Sequence, residues 1–345
     1  MSGLSHATRL AGARQRIREA VHGGAEVAAL LEVSADAISS LVSWDAMFLS
    51  GADPQTGQFT ATTCVRELPP EMCAPWMRNE FLEPDVNKFP ALRRGGAATL
   101  SEATQGHRML SPRYRDIYRP YGFGHELRAA LADGTGCWGY LTLIRAAGAP
   151  DFAEHEVELM HRLAPAIAQA VRAGHQTAAS PAPVTPGVIT IDRVGTVLNM
   201  TDAARESFST ICAGSMHAVA AAAFAQAEGR ATPPAHTRVR TTDSGWLSIS
   251  GDVVRDDAGQ AVAAAVVVDA ARPAQLLPVL TAAYGITPRE SEVLELLARG
   301  AATSEIAGEL GISGHTVRDY VRSLFSKTGA GSRGELVHLL FGTGA

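Results

Sequence analysis

The stretch TSEIAGELGISGHTVRDYVRSLF, residues 303–325, constrains the fold more than any other part of the 345-residue chain. Thr303 is predicted to cap a first helix that buries Ile306, and Gly311 allows the left-handed backbone of a sharp stop. Ser313 is predicted to cap a second helix. Two short helices therefore meet across a turn of about three residues, which fixes how the second helix is presented.

The second helix has an apolar face and a polar face. Its apolar side chains recur at a spacing of three and four, which predicts that they pack inward. They are Val317, Val321, Leu324 and Phe325. The opposite stripe suits base edges in a DNA major groove, since arginine can bond guanine at two points and aspartate can accept from cytosine. A solvated charged face is the alternative, but the tight turn favours DNA reading. The stripe comprises His315, Arg318, Asp319, Arg322 and Ser326.

The last segment, residues 286–345, resembles a known DNA-binding domain. It begins TPRESEVLELLARG, in which Thr287 and Glu290 have the spacing of a capping box. With EIAGELGIS, HTVRDYVRSLFSKTG and SRGEL following in order, residues 286–340 resemble the LuxR-type domain. The resemblance implies an all-α domain of four helices, with the third in the major groove and the last, about 333–340, in a dimer contact.

The resemblance also implies which residues touch DNA. By position, the base-reading residues are Arg318, Asp319 and Arg322. The phosphate-contacting residues are Thr303, Ser304, Thr316 and Lys327. Residues 314–327 contain three cations and one anion, whereas the whole chain has a net charge of -5. One copy would therefore neutralise few phosphates, and we expect a homodimer on paired half-sites.

The sequence pattern at the front of the chain predicts an α+β domain. Two amphipathic helices, about 5–21 and 25–42, precede two strand pairs with the turns DPQTG and DGTG, and a long amphipathic helix closes the segment. Through PRYRDIYRPYGFGHELRAAL and CWGYLTLIR, residues 1–175 resemble the GAF-like sensory domain of actinobacterial LuxR-type regulators. Residues 176–186 are predicted to be a linker, because HQTAASPAPVTPG is rich in proline and has no apolar periodicity.

Residues 187–270 predict a smaller α+β domain. Two strands, two short helices and three strands follow one another, an order that resembles a small PAS domain. A second linker is predicted over 271–285. The chain is thus expected to be multidomain, which 345 residues and a hydrophobic content of 46% allow.

The front domain offers candidates for a small-molecule pocket, because GAF-like sheets commonly enclose one. Plain core packing is the alternative for its aromatic residues. His125 and His107 could ligate a metal or haem, but neither has a partner at ligand spacing, so we predict no metal and no cofactor. Acyl-homoserine lactone recognition is not expected, since Trp76 is followed by Glu80 where those receptors have tyrosine. The candidates are Trp44, Phe48, Trp76, Phe81, Tyr121, His125, Trp138 and Tyr140.

Together these patterns predict a transcription regulator that binds double-stranded DNA, contacts RNA polymerase and responds to a small molecule or a partner. A sigma-factor-like protein is one alternative, although it would need an aromatic-rich, basic helical region upstream. An enzymatic front domain is another, but GxSxG, HExxH, phosphate-binding glycine loops and paired cysteines are missing from the sequence, and we predict no enzyme. The longest apolar run, AVAAAVVV, is too short to span a membrane, and the N-terminus lacks an apolar signal core, so we expect a cytoplasmic protein.

Overall fold

The computed structural model describes residues 6–176, 184–208, 213–230, 232–241 and 245–341. The front part contains the helices α1 His6–His22, α2 Val27–Ser39, α3 Cys73–Leu82, α4 Phe89–Leu92, α5 Leu100–Ala103 and α6 Glu154–Gly174. Its strands are β1 Ala46–Ala52, β2 Phe59–Arg66, β3 Ala97–Thr99, β4 Phe123–Asp133 and β5 Gly136–Ala146. Short turns of helix lie at Pro70–Met72, Arg108–Leu110, Arg113–Tyr118 and Arg119–Tyr121.

The front strands form one antiparallel sheet in the order β2-β1-β5-β4-β3. Helices α1, α2 and α6 cover one face, where Leu31, Ile38 and Leu163 are buried. Helix α3 and the loops around it cover the other face, where Phe48 and Phe59 are buried. The predicted α+β arrangement, with helices flanking two hairpins, is confirmed.

A β-bulge in β5 separates two aromatic residues that the sequence places close together. Leu131 pairs with Gly139 and Ala132 pairs with Cys137, so Trp138 is the extra residue in its strand. Without the bulge, residues two apart in a strand would share a face. Trp138 instead lies on the α6 side and Tyr140 on the α3 side.

The middle part repeats the strand order of the front part. Its strands are β6 Gly187–Ile191, β7 Val197–Met200, β8 His236–Arg240, β9 Trp246–Arg255 and β10 Ala261–Ala270. Its helices are α7 Asp202–Phe208 and α8 Ala213–Ala227. The antiparallel order is β7-β6-β10-β9-β8, and the succession of strands and helices agrees with the sequence-based prediction.

The front and middle parts share one hydrophobic core, an arrangement that the sequence did not indicate. Helix α3 packs on α8, and the buried cluster continues from Phe48 and Trp76 to Val219 and Val266. At the border, Arg238 Nη1 lies 2.6 Å from Asp53 Oδ2, a carboxylate that is fully buried. The two parts are therefore joined by packing as well as by the chain between them.

The segment 271–285, predicted to be a linker, instead contains the helix α9 Pro273–Ala283. Proline suits the first turn of a helix, and Gln275 Oε1 accepts from the backbone N–H of Arg272 at 2.8 Å. Leu276 and Leu280 of α9 are fully buried against Trp246 and the C-terminal helices. The two prolines in ARPAQLLP favour a linker in the sequence-based prediction, whereas the apolar spacing of this segment fits a helix. Of the other predicted linker, residues 177–183 lie outside the described residues, and the predicted domain boundaries stay predictions.

The C-terminal part consists of helices: α10 Pro288–Ala298, α11 Thr303–Leu310, α12 Gly314–Thr328 and α13 Arg333–Phe341. Helix α13 packs on α9 and α10, and α12 packs on α10 and α11. Cys137 is a buried free thiol, while Cys64 and Cys212 fall where side chains are not described. Among the described helices, none is long and apolar enough to cross a membrane.

Candidate functional sites

The turn between α11 and α12 has the predicted geometry. Gly311 adopts a left-handed conformation at φ 65° and ψ 36°. Ser313 caps α12, since its Oγ accepts from the backbone N–H of Thr316 at 3.0 Å. The predicted cap at Thr303 is wrong: Ala302 precedes the helix, and its N–H donates to Glu305 at 2.6 Å. A carboxylate three residues on can satisfy this N–H without a side-chain cap, so α11 begins at Thr303.

Helix α12 presents the two predicted faces. Val317 and Leu324 are fully buried, whereas Arg318 and Arg322 on the opposite side are exposed. The two arginines are four residues apart, so they lie one above the other on the same side of the helix. Two guanidinium groups thus stand on an outward stripe whose opposite face is fixed to the domain core.

Asp319 lies between two neighbours on this stripe. Its Oδ2 is 2.8 Å from His315 Nδ1, and its Oδ1 is 3.0 Å from Arg322 Nη1. The spacings of three and four residues could have indicated these pairs from the sequence. In the structure, the carboxylate predicted to accept from cytosine is thus already in contact with two other side chains.

The predicted phosphate contacts divide into two groups. Thr303 and Ser304 are exposed at the start of α11, and Thr316 lies in the first turn of α12. An ideal Cβ placed on Gly314 would be 3.9 Å from Thr303 Cγ2, so the two helices begin side by side. Two helix N-termini, with their unsatisfied N–H groups, favour a nearby anion.

Lys327 is held inside the domain instead. Its Nζ donates to Glu290 Oε2 at 2.6 Å and to the carbonyl of Gly285 at 2.8 Å. Burial by itself would raise the pKa of Glu290, but hydrogen bonds from Lys327, Ser323 and the N–H of Thr287 lower the pKa to about 2. A contact between Lys327 and phosphate would have to compete with this ion pair.

The structure brings together half of the predicted pocket residues. Phe48, Trp76, Phe81 and Tyr140 meet on the α3 face of the front sheet. Sequence reasoning missed the rings that pack with them there, which are Phe59, Phe89 and Tyr118.

The other four pocket candidates lie elsewhere. Trp138 is fully buried on the opposite face, and Trp44 packs against that same cluster. Tyr121 is 45% exposed, outside the core. His125 Nδ1 lies 3.2 Å from Asp151 Oδ1, and none of the described His, Cys, Asp and Glu residues form a group of three that could hold a metal. The structure therefore does not place these four predicted pocket residues with the other rings.

A buried ion network fills much of the space beside these rings. Arg113 donates to Glu126 Oε1 at 3.0 Å and Oε2 at 2.9 Å, and Arg128 donates to Glu80 at 2.9 Å. Tyr118 donates to Glu126 at 2.6 Å. Glu126 and Arg128 alternate in HELRAALA, a signal that both point to one face of β4, but their partners are far away in sequence.

Beside this network lies an apolar cavity of about 90 Å³. Its walls come from the sheet, from α3 and the turn before it, and from α8 of the middle part, which contributes Gly214. The described polar groups on the walls are few, and one of them is Thr142 on β5.

Comparison with known proteins assigns the two ends of the chain. Residues 285–340 match the family described as "Bacterial regulatory proteins, luxR family", and residues 15–171 match the GAF domain. The spore germination protein GerE of Bacillus subtilis is 44% identical over 52 residues, which are 15% of this chain and 70% of GerE. The chain belongs to the luxR family. Its GAF domain is the front α+β part, and its family domain contains α10 to α13.

Two other similar proteins match different parts of this luxR-family chain. The response regulator Rre1 of Synechocystis sp. is 51% identical over 51 residues, which are 15% of this chain and only 22% of Rre1. The GAF domain/HD domain protein of Geobacter sulfurreducens is a solved structure with 15% identity and a TM-score of 0.32, covering 45% of this chain and 97% of that one. A TM-score this low does not establish a shared fold.

Proposed function

We propose that this luxR-family chain is a sequence-specific DNA-binding transcription regulator. The outward stripe of α12 carries the proposal, because Arg318 and Arg322 are exposed side by side after a rigid helix-turn-helix turn. Both guanidinium groups fit the acceptor edge of guanine in the major groove. The adjoining N-termini of α11 and α12, with Thr303, Ser304 and Thr316, are the proposed phosphate contacts.

We further propose that the protein acts as a homodimer on a two-fold DNA site. The local charge of +2 over residues 314–327 is small for binding by one copy, because each neutralised phosphate adds to affinity through counterion release. Helix α13 is the proposed dimer contact, as the family resemblance implies. Binding near promoters would bring the dimer to RNA polymerase, its other proposed partner.

We propose that the front and middle parts control DNA binding. The middle part is proposed to be PAS-like. Its antiparallel strand order, β7-β6-β10-β9-β8, supports this proposal. Arg172 and Gln176, at the end of α6, both donate to the carbonyl of Ala283 in α9, at 3.3 and 2.8 Å. Since α9 also packs on α13, a change in the front domain has a contact route to the proposed dimer helix.

The test is selection of DNA sites by the purified full-length protein, followed by affinity measurements on the selected site. Arg318→Ala and Arg322→Ala should each weaken specific binding by about 1–3 kcal/mol and relax the preference at one base position. Arg299→Ala, which removes an exposed arginine at the end of α10, is the matched control and should bind like wild type. If Arg318→Ala and Arg322→Ala bound the selected site with the same affinity as wild type and Arg299→Ala, the proposal would be refuted.

A further inference from the structure

We propose that the cavity beneath α3 binds a small, uncharged, largely apolar molecule carrying one hydrogen-bonding group. This inference rests on the proposed function and names the class of ligand that the front domain would sense. The cavity lies between α3 and the sheet, where Phe48, Trp76, Met77 and Ile144 form its walls. These side chains favour an apolar ligand because burying its surface removes it from water.

The charges of the neighbouring ion network are satisfied among themselves. Arg113 is paired with Glu126 and Arg128 with Glu80, each pair at 2.9 Å, and all four side chains are almost completely buried. None of these four reaches the cavity wall, and no charged side chain is among the described lining residues. An ionised ligand would lose its hydration here without gaining a counter-ion, so the cavity selects against it.

Among the described lining residues, Thr142 provides a polar group that is open to a ligand. Its side chain is fully buried on β5, and its hydroxyl makes no hydrogen bond within the described part of the chain. Tyr118 also lines the cavity, but its hydroxyl already donates to Glu126 and accepts from Trp76 at 2.9 Å. A buried water needs two to four polar partners, more than the described lining residues leave open, whereas an organic molecule needs only one.

The size of the cavity limits the ligand to a few atoms. An apolar cavity of about 150 Å³ holds benzene, so about 90 Å³ suits roughly four or five heavy atoms. Short alcohols and ketones have this size, this apolar surface and one group that can bond Thr142. For so small a ligand we expect a dissociation constant on the order of millimolar.

The position of the cavity connects its occupancy to the middle part. Gly214 of α8 borders the cavity, and α8 packs along α3, which carries Trp76 and Met77. A molecule bound between α3 and the sheet therefore touches both sides of the contact between the front and middle parts. Binding would shift the arrangement of these parts if the ligand favours one spacing of α3 and α8.

The experiment is a ligand-observed NMR titration of the full-length protein with 2-butanone, with propionate as a charged probe of equal heavy-atom count. Wild type should bind 2-butanone and not propionate. Thr142→Val, which keeps the shape but removes the hydroxyl, should weaken 2-butanone binding at least about fivefold, whereas Thr142→Ser should stay within about twofold. Val65→Phe, at a half-exposed position on the wall, should abolish binding by filling the cavity.

A second measurement separates a ligand group from a structural one. Thr142→Val should raise the melting temperature of the free protein, because it removes a buried hydroxyl without a partner. A lower melting temperature would show that the hydroxyl is bonded within the fold and would overturn the proposal. So would absence of 2-butanone binding by wild type, equal binding of propionate, or full binding by Thr142→Val. DNA affinity is measured separately on the same protein. That measurement tests only the proposed function in DNA binding, whereas the titration tests only the proposed ligand site.

Discussion

Asp319 holds Arg322 in place on the exposed face of α12, with its Oδ1 3.0 Å from Arg322 Nη1. The same carboxylate contacts His315, so one anion offsets two cationic or potentially cationic neighbours. An exposed pair of this kind contributes little to stability. Its effect is on the geometry and net charge of the surface that we propose reads DNA.

Asp319→Asn should make DNA binding tighter but less selective. The substitution removes one negative charge and releases Arg322, so affinity for scrambled DNA should rise and the dependence of log K on log salt should steepen by about one unit. Binding to selected and scrambled sites at several salt concentrations measures both effects. Glu309→Gln, the same charge change on the exposed side of α11, is the control, and identical behaviour of the two variants would contradict a specific role for Asp319.

Lys327→Met should destabilise the C-terminal part by about 2 kcal/mol, because it leaves the buried carboxylate of Glu290 without its charged partner. The melting temperature of the variant measures this loss. Adding Glu290→Gln should restore part of the stability, since the buried charge is then removed. If Lys327 served only to bind phosphate, the melting temperature would stay unchanged and the salt dependence of DNA binding would fall by about one unit.

Glu290 should make stability depend on pH at the acid end. Its usual pKa of 4.5 falls to about 2 in the folded protein, so the ionised form stabilises the fold fully above pH 4.5. This contribution is lost as the pH falls from 4.5 toward 2, because the unfolded chain then binds a proton that the folded chain does not. Urea unfolding of wild type and Glu290→Gln at pH 7 and pH 3.5 should show the wild-type advantage shrinking at the lower pH.

His175 should make a separate acid-dependent contribution in a higher pH range. Burial, with a smaller effect from Arg240, lowers the pKa of His175 from 6.5 to about 3, so its ring is neutral between Trp138 and Trp246. Because the unfolded chain takes up this proton first, stability should fall as the pH drops from 6.5 toward 3. His175→Phe keeps a ring in the stack and should flatten the stability curve between pH 6.5 and 4.5. An unchanged slope would contradict the neutral, buried state.

Local rules predicted the C-terminal part well. The left-handed Gly311, the caps at Ser313 and Thr287 and the two faces of α12 all depend on residues within four positions of one another. Such short-range geometry can be read from spacing. The spacing of three residues also allows the contact between Asp319 and Arg322, two side chains that the family resemblance implies are separate base readers.

Features that depend on distant residues were not predictable in this way. The side of the sheet taken by Trp138 depends on a one-residue bulge, and a single extra residue reverses the face of a strand side chain. Glu126 and Arg128 alternate in β4, but only the folded chain shows that Arg113 and Glu80 neutralise them. Helix α9 was not predicted because its apolar side chains pack against Trp246 and α13, and these contacts form only in the folded chain.

The hydrophobic core that the front and middle parts share has a consequence for how the protein unfolds. Separating the two parts would expose α3 and α8 to water, along with the buried carboxylate of Asp53 once Arg238 is gone. The free-energy cost of that exposure couples their unfolding, so we expect both sheets to melt in one cooperative transition. A fragment ending at α6 would present a bare apolar flank and tend to self-associate, because large exposed apolar patches are aggregation liabilities.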